Sequence, residues 1–288
     1  MTATYDRATQ DTGNIIALEH VNLAVSDQQA ATAFYIMGLG FTRDPYLVIG
    51  LDNMWINIGR SQCHLPTGPA QRLRGSIGVV VPDLDALSQR LKKVAPRLTG
   101  TQFSYQARSD RIDATCPWGN RFRCHATSPE FGVADLALAY VEFEVARGAA
   151  ESIMRFYRDA LRAATVMERH GGSAVACVHI GNAQKLLFRE IDGELPPYDG
   201  HHIQIYTADF SGPHRFLNER GLITEESSTY QYRFRDIVDP DNGKALFTVE
   251  HEVRSLKHPL YARPLVNRNP DQTNNNYVRG HDAFRGTY

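Results

Sequence analysis

LEHVNLAVSDQQAATAFY, residues 18–35, is the stretch on which the fold turns. It alternates as a strand as far as Ser26-Asp27, where a hydroxyl or carboxylate can cap a helix. Ala31, Phe34 and Tyr35 then fall on the inward side of that helix. The same strand-to-helix crossover returns along the chain. SIGVVVPD from Ser76 feeds DLDALSQRLKKV, whose Leu84, Leu87, Leu91 and Val94 keep helical spacing. YVEFEV from Tyr140 precedes ESIMRFYRDAL. HIQIYTAD from His202 precedes a helix expected to be capped by Ser211, with Pro213 in its first turn, Phe216 and Leu217 on its apolar face and Gly221 as its stop. An aspartate lies seven residues after the opening position in three of these copies, Asp27 after His20, Asp83 after Ser76 and Asp209 after His202, while Arg147 takes that place in the third copy.

The residues after each crossover read as short strands and turns. FTRDPYLVI, MWINIG and QCHLP come after the first helix, and ATVMERH, AVACVHIG and QKLLFRE after the third. MWINIGRSQCHL over ACVHIGNAQKLL matches Ile58-Gly59 to Ile180-Gly181 and Gln62 to Gln184 without a gap. CPWGNRF and DPDNGKALF carry the turn chemistry of a final hairpin in the second and fourth copies. The chain is therefore expected to be α+β, built of four βαβββ modules. One open module leaves unpaired edges and a bare apolar face, so the modules should pair into two half-barrels. Along the chain the expected divisions are a polar N-terminal tail, 1–14; paired modules one and two, 15–136; paired modules three and four, 137–258; and a C-terminal tail, 259–288. That tail, rich in Asn, Arg, Gly and Pro, reads either as extended chain or as a segment that packs on a partner subunit of a homodimer through Tyr277, Phe284 and Tyr288.

Composition narrows the function classes. Lys and Arg number 31 against 32 Asp and Glu, so no basic excess exists to neutralise a nucleic acid backbone. No apolar run approaches the roughly 18 residues that span a bilayer, and Met1 to Gly13 is polar, so no membrane partner and a cytoplasmic location are expected. Cys63, Cys116, Cys124 and Cys177 form no CxxC pair and read as reduced, buried residues.

His20 to Asp27 with Phe34-Tyr35, and their echo at His202 to Asp209, resemble the vicinal oxygen chelate superfamily, which includes glyoxalase I, extradiol dioxygenases and bleomycin resistance proteins. The resemblance covers roughly residues 15–258. It implies metal ligands on the first strand of a module, usually His, and in the middle of the fourth, usually Glu. The corresponding residues are His20, Ser76, Tyr140 and His202, and His64, Arg123, Leu186 and Glu250. Modules one and four thus offer donors where two and three offer none. The resemblance then favours closing module one against module four and uniting His20, His64, His202 and Glu250, with Glu252 on the same strand face as a rival to Glu250. Imidazole and carboxylate suit Fe(II), preferred here, as well as Mn, Ni or Zn.

Other residues carry competing readings. TYQYRFRD, 229–236, alternates Tyr230, Tyr232 and Phe234 with Gln231, Arg233 and Arg235, so one set should face the cavity. Tyr232 to sandwich a planar substrate and Arg233 to hold its anion are the catalytic candidates beside His64. Trp55 and Asn57 line a pocket or belong to the core. Tyr140 reads as a core aromatic or as part of an inactive counterpart of the metal cavity. His201, His251 and His258 read as surface or supporting groups, and His125, His170 and His179 have no repeated counterpart. EHEVRS, 250–255, is too charged for a buried strand end unless its charges meet a metal or one another. The leading expectation is an Fe(II) dioxygenase acting on an aromatic or vicinal diol. The alternatives are a glyoxalase-type isomerase or lyase with Ni or Zn, and a non-enzymatic protein that sequesters a small ligand.

Overall fold

The structure, a computed structural model, describes residues 5–47, 50–132, 134–181 and 183–281. Module one holds β1 (Ile15–Asn22), α1 (Gln28–Ala31, continued by a π-helical stretch over Thr32–Gly38), β2 (Thr42–Arg43), β3 (Asn53–Ile58) and β4 (Ser61–Pro66). Module two holds β5 (Gly75–Val80), α2 (Leu84–Val94), β6 (Ser104–Ala107), β7 (Arg111–Thr115) and β8 (Arg121–His125). Module three holds β9 (Ala137–Ala146), α3 (Ala150–Leu161), β10 (Thr165–His170), β11 (Ser173–Ile180) and β12 (Gln184–Ile191). Module four holds β13 (His202–Thr207), α4 (Ser211–Asn218), β14 (Ile223–Ser228), β15 (Gln231–Val238) and β16 (Ala245–Ser255).

The recurring aspartates are helix caps. Asp27 accepts from the backbone N–H of Gln29 and Ala30 at 2.7 and 3.2 Å, Asp83 from Ala86 at 2.9 Å, and Asp209 from Gly212 at 3.0 Å. Asp209 thus takes the role expected of Ser211, which is already the first residue of α4. In module three, where Arg147 replaces the aspartate, Glu190 reaches over from β12 to accept from Ala150 N at 3.0 Å.

Strand pairing distributes the modules over two eight-stranded sheets, in the orders β14-β15-β16-β13-β1-β4-β3-β2 and β10-β11-β12-β9-β5-β8-β7-β6. Each module's first strand runs parallel to its last, and antiparallel pairs β1–β13 and β5–β9 join the modules. Module one therefore shares a sheet with module four, and module two with module three. This corrects the division at 136/137: segments 15–136 and 137–258 do not each close a sheet. What they share is helix packing, because Phe34 and Tyr35 meet Phe122, and Phe156 meets Phe234, across the gap between the sheets. The main apolar core runs through all four modules and takes in Cys63, Cys116 and Cys124, while Cys177 lies in a smaller cluster with Val80, Tyr140 and Leu187; all four cysteines are buried and unpaired.

Backbones approach closely where β5 joins β9. A Cβ on Gly75 would lie 1.7 Å from the carbonyl oxygen of Glu142. Gly75→Ala is expected to cost about 3 kcal/mol, read as a lowered midpoint in denaturant titration. An unchanged midpoint would contradict this strand junction.

Candidate metal centre

The β1–β13 register brings two histidines face to face. His20 pairs with Gln204 and Asn22 with His202, so His20 and His202 are related by the approximate twofold of the sheet. The neighbouring strands complete the symmetry: Asn22 pairs with His64 on β4, and Gln204 with Glu252 on β16. Ligand atoms of His20, His202 and Glu252 all lie within 4.8 Å of one another. His20 is 1% exposed, and both of its ring nitrogens lack a hydrogen bond, as does Nε2 of His202. Burial holds both imidazoles well below the usual histidine range, with Arg254 next in effect on His20, and His20 next in effect on His202. Two neutral, buried imidazoles with unspent lone pairs beside a carboxylate are a donor set that fits a divalent cation.

Glu252 is held between two guanidinium groups. Arg233 donates to its Oε2 at 2.5 Å, and Arg254 stands 2.6 Å from its Oε1. Arg233 also donates to Glu250 at 2.5 Å, and Arg254 to Glu19 at 3.0 Å. Burial pushes the Glu252 carboxyl up, against the pull of Arg254 and Arg233. A carboxylate has about four acceptor sites, so these contacts leave Glu252 room to bind an ion. The row Glu250–Arg233–Glu252–Arg254–Glu19 carries three carboxylates against two guanidiniums. The surplus negative charge offsets part of an ion's charge, and the charges of EHEVRS do meet one another.

Glu19 escaped sequence reading because strand alternation turns it away from His20. A bulge between Leu18 and His20 sets two residues of β1 against one of β13 and carries the Glu19 carboxylate to 3.6 Å from His20 Nδ1. Arg254 and Asn53 were also missed. Arg254 had one signal, its place two residues beyond Glu252 on the same strand face.

The structure redistributes several expected roles. Glu250 pairs in register with His202, whereas Glu252 is the twofold counterpart of His64, so Glu252 displaces Glu250 from the donor group. The same offset makes Leu187, not Leu186, the counterpart in module three; Leu186 faces the core. His64 lies beside the three donors rather than among them. Its Nε2 meets Asn53 Oδ1 at 2.7 Å, and its ring stacks on Trp55 at 3.8 Å. Burial, then Arg254 and Arg233, bring its pKa down to about 4. Tyr232 cannot share the cavity with Arg233, since adjacent strand residues point to opposite faces; it is 1% exposed and packs on Phe210 and His214. His251 likewise lies in the core, stacked on Phe234 and bonded to Tyr157. His201 is buried against Asp199.

Asn53, His64, Arg233 and Glu250 are half-buried and mark the open side of the centre. The C-terminal segment covers part of module one beside it. Arg263 donates to Asp44 at 2.8 Å, Asn57 donates to Val266 O at 2.9 Å, and Asn267 exchanges hydrogen bonds with Gly59. Over residues 263–267 the expected extended tail is thus a strap on its own chain; Tyr277 is exposed, and Phe284 and Tyr288 lie outside the described residues. Asp44 is 0% exposed. Burial pushes its carboxyl up, but the N–H groups of Leu47 and Tyr46 and the Arg263 guanidinium outweigh this and hold it below the usual range. A depressed carboxyl contributes stability above the unfolded value of about 4 and loses it as pH falls through the lower folded value. Arg263→Ala is expected to cost about 2 kcal/mol near neutrality, since Gln62 and two backbone donors still serve Asp44. The variant should also lose less of its remaining stability than the wild type as pH falls below about 4. Denaturation midpoints across pH check both expectations, and parallel profiles would remove Arg263 from this role.

No protein-family model matches the chain, and no curated protein matches it. Solved structures do. Glyoxalase I from Zea mays superposes with a TM-score of 0.56 at 15% identity, covering 87% of this chain and 95% of that one. A putative dioxygenase from Bacillus subtilis superposes with a TM-score of 0.55 at 12% identity, covering 84% and 86%. The chain shares the fold of these structures, with its four βαβββ modules paired in two sheets. Among the described residues no helix is long and apolar enough to cross a membrane.

Proposed function

We propose that the chain is a metal-dependent enzyme acting on a small oxygenated substrate that chelates the ion, and that it is an Fe(II) dioxygenase of an aromatic or vicinal diol. The observation that carries this reading is the buried group of His20, His202 and Glu252, because two histidines and one carboxylate with open positions are the donor set of non-haem Fe(II) oxygenases. A bound Fe(II) would supply Lewis acidity and electrons for dioxygen. The chain supplies the rest. Arg233, on the open side, orients an anionic oxygen of the substrate. Asn53 presents its carbonyl oxygen to His64 Nε2, making that nitrogen the donor and leaving the Nδ1 lone pair to accept a substrate proton. Trp55 fixes the His64 ring by stacking and keeps water from that wall.

Glu250 supports a second reading. Ordered by Arg233 and half-buried beside His202, it stands where a base could remove a proton next to a carbonyl, as a Ni- or Zn-dependent isomerase requires. Metal-stripped protein reloaded with Fe(II), Mn(II), Ni(II) or Zn(II) separates the readings. Oxygen uptake and ring cleavage of a catechol with Fe(II) alone support the dioxygenase. Isomerisation of a hemithioacetal with Ni(II) or Zn(II) supports the isomerase, and tight binding of an intact ligand without an ion supports sequestration. His64→Ala should keep its metal and lose turnover by about a hundredfold. Loss of the ion would instead make His64 a ligand.

A further inference from the structure

The sheet built by modules two and three holds a cavity of about 500 Å3, bordered by β8, β9 and β12. It corresponds in register to the metal centre. Gly78 pairs with Tyr140 and Arg123, as Asn22 pairs with His202 and His64, and Glu142 pairs with Ser76 and Leu187, as Gln204 pairs with His20 and Glu252. Ser76, Tyr140, Arg123 and Leu187 therefore take the four places. They are a poor set for an ion, and they include a permanent cation. Lys185, paired with Tyr140, takes the place of Glu250 and adds another.

The charge around these cations is unevenly matched. Arg123 donates to Glu142 at 3.2 and 3.3 Å, Arg189 bridges Glu142 at 3.1 Å and Glu144 at 2.9 Å, and Arg121 donates to Glu144 at 2.8 Å, so two carboxylates serve three guanidiniums. Lys185 has no carboxylate partner among the described residues. The other acids at the cavity are Glu168, bonded to His170 at 2.8 Å, Asp110, 3.4 Å from Arg111, and Glu130, exposed. The wall is aromatic. Tyr140 lies over Gly78, where a Cβ would come 2.2 Å from its ring; its hydroxyl meets His125 Nε2 at 2.9 Å, and Phe131 lies 4.6 Å from the His125 ring.

We infer that this cavity is a metal-free binding site for a small planar organic carboxylate, whose anionic end is held by Arg123 and Lys185 and whose ring lies against His125, Phe131 and Tyr140. Bidentate guanidinium contact suits a carboxylate, and aromatic walls suit a flat body. The inference stands apart from the metal reading, since no residue is shared.

Isothermal titration of the full chain with benzoate tests it. The expected result is binding that weakens about tenfold in Arg123→Gln and about fivefold in Lys185→Gln, while His202→Ala binds as the wild type does. Lys185 is half-buried on a cavity wall, and Glu142 keeps Arg189 when Arg123 is replaced, so both variants should fold. Benzylammonium should not bind. Benzoate binding untouched by both substitutions, abolished by His202→Ala, or surpassed by benzylammonium would overturn the inference. Inorganic phosphate displacing benzoate at equal affinity would overturn the preference for a planar carboxylate.

Discussion

His202→Ala protein, purified without chelators, is expected to carry less than about a tenth of the wild-type metal and to lose turnover by about a thousandfold or more. The substitution removes one of three donors, and the other two cannot hold a first-row ion against bulk water at ordinary concentrations. Stability should change little. The imidazole is neutral, its Nε2 has no hydrogen bond, and its nearest carboxylates, Glu250 and Glu252 at 3.7 Å, remain paired with Arg233. Elemental analysis per folded chain, with a denaturation curve beside it, reads both effects. A His202→Ala protein with full metal content would remove the residue from the centre.

Glu252→Ala is expected to have a double effect, losing the ion and about 3 kcal/mol of stability. Arg254 would be left with Glu19 alone and Arg233 with Glu250 alone of this row, so each guanidinium loses one of its two carboxylate partners there and Arg254 loses it in a buried setting. Glu250→Ala is the contrasting variant. Its carboxylate is more exposed and, among the described residues, faces only Arg233 and His202, so removal should cost about 1 kcal/mol and leave the metal bound. Retention of metal in Glu252→Ala and its loss in Glu250→Ala would reverse the assignment.

These two glutamates show where sequence reading ran out. The crossovers were legible because their signals are local: an alternating strand, a capping aspartate and apolar residues at helical spacing all fall within Leu18–Tyr35 and its echoes. His20 and His202 were legible because they repeat. Which glutamate meets them is decided by cross-strand register, and Glu250 and Glu252 share a face, so periodicity ranks them equally. Tyr232 and Arg233 could be sorted only as alternatives, since a strand cannot aim both at one cavity. Glu19 was hidden by the bulge, which breaks the alternation used to exclude it. The sheet pairing left only an indirect trace, the confinement of donors to modules one and four. The cavity of modules two and three left only one trace, the reading of Tyr140 as part of an inactive counterpart of the metal cavity, because Arg123, Lys185 and Tyr140 come from three strands and form no motif.

The antiparallel join of β1 to β13 also fixes an order of events during synthesis. Modules two and three are adjacent in the chain, so their sheet can close as soon as β12 has emerged. Module one must wait with one edge of β1 unpaired while the whole middle of the protein is made, and it finds its partner only when residues 202–255 leave the ribosome. Closing so long a loop costs little more than closing a shorter one, because the entropic cost grows only as the logarithm of loop length. Delay is the larger consequence: His20 has neither His202 nor Glu252 beside it until β13 and β16 have been made, so any ion is captured only after both have emerged.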